Sequence, residues 1–422
     1  MIMAGGAGER LQPLTKERSK GAVPFGGKFR LVDITLSNCI NSGLRRIYVL
    51  TQYLSESLNR HVQEGWAISS AGLGDFIYCI PAQQKHGTAW YLGTADAVRQ
   101  NLDLISSKDV DHVLILSSDH IYKMNYRQLL AFHCSKKAGL TISAVRVKKE
   151  RAAGKLGTVE ADPNHRLIGF EEKSAQPKTL ADATDCVLAS MGVYIFKVDA
   201  LLQALQIGGH DFGKEIIPGM MGTRDDIFVY DYEKENRIKA LEVIMKGGVR
   251  EKRLIEKTSD STYWKDVGSI DSYYDANMAL VAVDPPFSLY DQKWPLRTYQ
   301  RPEPPTMCVL GGKISDSIVC DGCLISGGAV SDSILSPGVI VERGALVEQS
   351  VIFDDVIIEP GVRLRRVIID KRITIRAGTS IGYDREEDRR RGYTISDNGI
   401  VVVSKELDIS RIEPSPIRSP RS

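Results

Sequence analysis

The chain is poor in cysteine, in histidine and in net charge, and each shortage closes off a class of function. Seven cysteines, an odd number thinly spread over 422 residues, make no disulfide framework and imply a reduced, cytoplasmic protein. A net charge of +2 supplies no field for nucleic-acid or membrane-surface binding. No apolar run approaches the roughly 20 residues of a membrane helix, and no signal segment precedes the first motif. What remains is ordinary for a globular protein, 43% hydrophobic and 26% charged, and long enough for two or three domains.

The informative part starts at once. Met1-Ile2-Met3-Ala4 ends a short apolar strand and runs into Gly5-Gly6-Ala7-Gly8-Glu9-Arg10-Leu11, followed by Arg18-Ser19-Lys20. Neighbouring glycines let the backbone approach a bulky anion, with N–H groups aimed at phosphate oxygens. Arg10 and Lys20 add fixed positive charge. The segment reads as a polyphosphate loop. It is not a Walker loop, since no Gly-Lys-Ser/Thr follows, and Leu11 stands where a dinucleotide fingerprint needs its third glycine.

From Met1 to about Asp284, strand-like and helix-like stretches alternate. Ile47–Leu50, His112–Leu116, Thr141–Val145 and Gly192–Phe196 read as buried strands. A helix is expected from Thr94 as N-cap, with Val98, Leu102 and Ile105 on one face, and another over Leu31–Ser42, closed by Gly43. The alternation implies an α/β domain with a Rossmann-like, mostly parallel sheet over 1–284. Six of the seventeen prolines then fall between 285 and 305, the composition of an extended connector. After it, Ile340, Leu346, Ile352, Ile358 and Leu364 recur every six residues, and glycines recur six apart at 322 and 328 and at 338 and 344. Period six predicts a parallel β-helix, left-handed, over 306–385. A charged tail, 386–422, is expected to be partly disordered, with a short strand near Gly399–Val403.

Two carboxylates stand out. Asp119 follows the apolar run His112–Leu116, and ligands of open α/β sheets sit at the carboxyl ends of strands. Asp266 lies in Tyr263-Trp264-Lys265-Asp266-Val267-Gly268. Two carboxylates plus a basic glycine loop suit phosphoryl or nucleotidyl transfer, which needs positioning and charge neutralisation more than a nucleophile. Glu171-Glu172-Lys173 offers a point charge for a substrate phosphate.

These motifs, with Phe25-Gly26-Gly27-Lys28-Phe29-Arg30, Pro81-Ala82-Gln83-Gln84, Trp90-Tyr91-Leu92-Gly93-Thr94-Ala95-Asp96-Ala97, Ser190-Met191-Gly192 and Asp211-Phe212-Gly213-Lys214, resemble those of the bacterial glucose-1-phosphate adenylyltransferases. The resemblance covers residues 1 to about 405. It implies transfer of the adenylyl group of ATP to glucose 1-phosphate, the activated-glucose step of glycogen synthesis, in a cytoplasmic, allosterically regulated homotetramer. It further implies Asp119 and Asp266 as holders of Mg²⁺, and Arg10 and Lys20 as neutralisers of the departing pyrophosphate. Gly5, Gly6, Gly8, Gln83 and Gly93 would contact the nucleotide. Tyr91, Gly157, Glu172, Lys173 and Ser190 would hold glucose 1-phosphate, Lys173 taking its phosphate. Small-molecule effectors would meet Arg18, Arg30, Arg366 and Arg390.

The chain departs from the family pattern in three places. Gly21 and Ser174 stand where proline usually follows the lysine, and Glu17 stands where some members carry a regulatory lysine. A hexapeptide acyltransferase is disfavoured, because that chemistry generally uses a histidine base and none of the seven histidines lies in the repeat. Cys320 and Cys323 have metal-like spacing without a second pair, and read as neighbours in the repeat. A pyrophosphorylase for UTP, dTTP or GTP is the nearest rival activity.

Overall fold

The computed structural model describes residues 1–68, 71–85, 89–105, 110–224, 226–246, 249–255 and 261–405. Contacts divide the chain into two compact units. The first comprises Met1–Gly6, Ile34–Trp264 and Asp291–Leu296; the second comprises Ala7–Asp33, Lys265–Tyr290 and Arg297–Ser422. The units therefore do not follow chain order. The greater part of the glycine loop belongs with the repeat region, hundreds of residues away.

The first unit is built on a nine-stranded sheet. Its strands are β1 (Ile2–Ala4), β2 (Arg46–Thr51), β3 (Phe76–Pro81), β4 (His112–Ser117), β5 (Leu140–Lys148), β6 (Gly157–Ala161), β7 (Leu167–Glu172), β8 (Cys186–Lys197) and β9 (Ile227–Asp231). The order is β7-β6-β8-β4-β1-β2-β3, with β5 pairing β8 and β9. Strands β3, β2, β1 and β4 run parallel; β1, β2 and β4 are largely buried apolar runs, whereas β3 is a partly exposed edge strand. The long β8 runs antiparallel to β4, β5 and β6. Its pairing with β5 slips between Ser190 and Tyr194, where Gly192 has φ 64°. Such a bulge re-aims the side chains around it. Helix α1 (Leu31–Asn41) ends as expected, with Gly43 left-handed at φ 79°. Helix α2 is Glu56–Gly65. Helix α3 is shorter than its pattern, Thr94–Arg99, and Gly93 rather than Thr94 is its N-cap. The core joins Val98, Ile115, Ile142, Phe196, Leu201 and Phe212, all buried.

The second unit holds the left-handed β-helix, three parallel sheets of two- and three-residue strands. Before the C-terminal closure, successive coils advance sixteen or seventeen residues, Leu324 pairing with Ile340 and Leu346 with Arg363. One corner per turn is therefore shorter than a strict period of six allows. The inward column is Val341, Val347, Ile352, Ile358, Leu364, Ile369, Ile375 and Ile381, all fully buried. Ile340 and Leu346, counted in the six-residue ladder, point outward instead, and Leu346 is 37% exposed. Each fully buried isoleucine contributes about 2 kcal/mol. The corners need left-handed backbone, met by Gly327, Gly344, Gly361 and Gly378 in one column. Asp316, Asp332, Gln349 and Arg366 fill a second column at φ 44–55° without glycine.

The repeat is closed at its C-terminal end. Asp384 caps α4 (Arg385–Arg390), Tyr393 is buried in the core, and Val401–Val403 pairs with Val367–Ile369. The first stretch of the charged tail is thus ordered structure, while 406–422 lies outside the described residues. The N-terminal coil is open. Cys308 and Ile314 pair with Ile325 and Val330, inward positions that are 0% and 1% exposed, yet Cys308 is exposed and Ile314 is 40% exposed.

Candidate active site

From Ala7 onward the glycine loop is organised inside the second unit. Gly8 adopts φ 65°, and a Cβ there would lie 3.1 Å from both Lys20 Cβ and Thr15 Cγ2. Its carbonyl accepts from the Thr15 hydroxyl at 2.9 Å. Glycine is required twice over, for the left-handed backbone and for the close approach of Lys20. Lys20 Nζ stands 3.5 Å from Asp266 Oδ1. A Cβ on Gly268 would lie 2.9 Å from both Asp266 Oδ2 and the Arg10 guanidinium. Gly8, Arg10, Lys20 and Asp266, scattered in sequence, are thereby brought together. Gly5 and Gly6 belong to the first unit; a Cβ on Gly5 would lie 3.2 Å from Gln52 Cβ, and one on Gly6 would meet open space.

In the first unit, Asp119 follows β4 and accepts a hydrogen bond from the Ser117 hydroxyl. His120 Nε2 lies 3.6 Å from it, and the His120 ring is 4.9 Å from the ring of Trp264. The side chains of Asp119 and Asp266 are 23% and 20% exposed. Both are hard oxygen donors open to solvent, the donor type that Mg²⁺ takes.

Strands β6, β7 and β8 assemble the expected sugar-phosphate residues. Gly157 pairs with Glu172 across β6 and β7, and a Cβ there would lie 2.7 Å from Glu172 Oε2. Burial raises the Glu172 carboxyl above its usual range, against the pull of Lys173. Lys173 Nζ is 3.6 Å from Glu172 Oε1 and half exposed, and its backbone is left-handed at φ 52°. The bulge in β8 brings the Ser190 hydroxyl to 3.3 Å from the Tyr194 hydroxyl. The sequence gives no site role to Tyr194, Asp211 or Gly213. Only the fold brings them here: a Cβ on Gly213 would lie 2.8 Å from Glu172 Oε2.

Tyr91 sits on the stretch leading into α3, not on these strands. Its N–H donates to Gln52 Oε1 at 2.7 Å, its carbonyl accepts from Gln52 Nε2 at 3.2 Å, and its hydroxyl accepts from Asn101 Nδ2 at 2.8 Å. Gly93 follows it. Gln83 is exposed after β3, where the Ala82 N–H donates to Thr51 O.

Comparison with known proteins decides the family. Residues 1–282 match the nucleotidyl transferase family, and residues 308–403 match the GlmU-like C-terminal hexapeptide family. The chain is 44% identical over 416 residues to a glucose-1-phosphate adenylyltransferase of Aliivibrio fischeri, covering 96% of this chain and 97% of that protein. It is 44% identical over 415 residues to that of Geobacter metallireducens, covering 96% of each. With that of Rhodopirellula baltica it shares 42% over 420 residues, 96% of this chain and 89% of that protein. The chain belongs to the glucose-1-phosphate adenylyltransferase family. It is a nucleotidyltransferase.

The family's candidate effector residues occupy different environments within the second unit. Arg18 is 3% exposed, and its guanidinium grips both oxygens of Asp370 at 2.9 and 3.0 Å and donates to Leu14 O at 3.0 Å. Arg30 donates to Ala22 O at 2.9 Å. Its acidity is shifted by burial, which lowers its pKa against the opposing effects of Asp354 and Asp33. Arg366 lies over the Tyr274 ring at 5.8 Å, and the Tyr274 hydroxyl donates to Gln349 O at 2.6 Å. Arg390 is exposed and pairs with Glu387 one turn back on α4. Glu17, at the departure from the family pattern, pairs with Lys405 at 3.0 Å.

Proposed function

We propose that the chain transfers the adenylyl group of ATP to α-D-glucose 1-phosphate, releasing pyrophosphate and ADP-glucose for glycogen synthesis in the bacterial cytoplasm. The observation that carries the reading is the glycine loop whose Lys20 pairs with Asp266, with Arg10 and Asp266 both against Gly268, in a chain of this family. Arg10 and Lys20 neutralise the β- and γ-phosphates as they depart. Lys173 holds the phosphate of the sugar, Glu172 accepts from its hydroxyls, and Tyr91, Gly157 and Ser190 complete its pocket. Gly93 and Gln83 border the adenine, and Gly5, Gly6 and Gly8 the phosphates. A phosphate oxygen of the sugar attacks the α-phosphorus in line. That oxygen is already ionised near neutral pH, so no general base is needed. Asp119 and Asp266 are the carboxylates for Mg²⁺, which when bound supplies charge neutralisation on the phosphate oxygens.

Small-molecule effectors reach the loop through the second unit. Supporting this, Arg18 and Asp370 tie the segment carrying Lys20 to the β-helix within that unit. Arg30, Arg366 and Arg390 are the cations offered to a phosphorylated effector. The homotetramer is supported by the open first coil, whose apolar edge calls for a partner copy.

Pyrophosphate release with glucose 1-phosphate, measured in turn with ATP, UTP, dTTP and GTP, tests the reading. ATP is expected to be preferred by orders of magnitude. Equal or better turnover with UTP or dTTP would reassign the nucleotide.

A further inference from the structure

Thr94-Ala95-Asp96 and Asp211-Phe212-Gly213-Lys214 have no assigned part in the reaction, yet they are locked together inside the first unit. The His210 carbonyl accepts from the N–H groups of Ala95 at 2.8 Å and Asp96 at 3.1 Å, and so caps α3. The Thr94 hydroxyl donates to Asp211 Oδ2 at 3.1 Å and accepts from the Phe212 N–H at 3.1 Å. Gly93 makes this approach possible, because a Cβ there would lie 2.3 Å from the His210 carbonyl oxygen.

The same loop bears on the sugar-phosphate residues. Gly213 lies against Glu172, and the Phe212 ring is 6.0 Å from that of Tyr194, whose hydroxyl is 3.3 Å from Ser190. Asp211 divides its two oxygens between the two tasks. Oδ1 accepts from the N–H groups of Gly213 at 2.9 Å and Lys214 at 3.1 Å, while Oδ2 holds Thr94. One carboxylate thus joins the turn beside Glu172 to the stretch that carries Tyr91 and Gly93.

We propose that Thr94 is a positioning residue that couples binding of the two substrates, through Asp211. The proposal rests on the adenylyl-transfer reading. A nucleotide that orders the chain at Gly93 also orders the turn against Glu172, so the sugar phosphate meets an ordered pocket. Linkage makes the effect mutual.

The test is the affinity for glucose 1-phosphate, by calorimetry, without and with saturating α,β-methylene-ATP and Mg²⁺. In the unaltered chain the analogue should tighten the sugar phosphate roughly tenfold, the scale of one hydrogen bond to a charged acceptor. Thr94→Val keeps the shape and removes the hydroxyl, so the ratio should fall towards one; Thr94→Ser should restore it. Thr94 is exposed, so the valine variant is expected to melt normally; if it does not, Thr94→Ala is measured in the same way. A ratio retained in Thr94→Val, no coupling in the unaltered chain, or equal loss in the serine variant would overturn the proposal. If the unaltered chain binds neither ligand, it is the reading of function that falls.

Discussion

Arg18→Met removes a guanidinium that is 3% exposed and leaves Asp370, 4% exposed at its side chain, without its bidentate partner. The Lys371 N–H still donates to Asp370 Oδ1 at 2.8 Å, so the carboxylate keeps one hydrogen bond. Breaking one side of a buried ion pair typically costs about 3–5 kcal/mol, because a desolvated charge stays behind. A domain has only about 5–15 kcal/mol in hand. The second unit should therefore melt roughly 10 °C lower. The double variant Arg18→Met with Asp370→Leu removes both charges and should recover most of that loss. Scanning calorimetry of the two variants and the parent measures all three values. A single variant within about 1 kcal/mol of the parent, or a double variant no better than the single, would refute the pair as the tie between the loop segment and the β-helix. The double variant also separates structure from regulation. If effector response survives in it, Arg18 is a strut and not a contact for the effector.

Three further outcomes follow from the same geometry. Lys173→Gln should raise KM for glucose 1-phosphate at least tenfold more than KM for ATP, since the charge acts in the ground state; equal shifts in initial-rate kinetics would remove Lys173 from the sugar phosphate. The Lys371 ammonium is lowered from 10.5 to about 8, first by burial and then by repulsion from Arg30, against the attraction of Asp354. Between those two values the unfolded chain binds more protons than the folded one, so stability should rise with pH from about 8 to about 10.5, and Lys371→Met should flatten that slope in urea titrations. Ile314→Glu puts a charge at the open coil, which pairs with Val330 on one side only. It should shift sedimentation towards smaller species with catalytic activity retained, and an unchanged sedimentation coefficient would count against assembly through that end.

The parts of the fold legible in the sequence are those written in local pattern. The glycine loop, the buried strands and the hexapeptide coil each announce themselves within about twenty residues. What escaped depends on partners remote in sequence. Asp370 lies 352 residues from Arg18, and nothing near Arg18 foretells a buried pair. Thr94 reads as a helix cap, yet the cap is Gly93, because the His210 carbonyl already covers the end of α3 and Asp211 claims the threonine hydroxyl. Ile340 and Leu346 keep a period of six while facing outward, because the coil closes in sixteen or seventeen residues and the inward column shifts by one. Tyr194 joins the site only through the slip in β8, a feature that Gly192 hints at without locating. The family resemblance named Glu172, Lys173 and Ser190. It includes the motif Asp211-Phe212-Gly213-Lys214 but gives no role to the loop 210–214, which packs against Glu172.

The most direct test of the central claim is the identity of the products. Phosphorus NMR of the chain with ATP, glucose 1-phosphate and Mg²⁺ should show ADP-glucose and pyrophosphate growing in equal amounts as both substrates disappear. Formation of ADP or AMP with free phosphate, or no consumption of glucose 1-phosphate, would contradict the account.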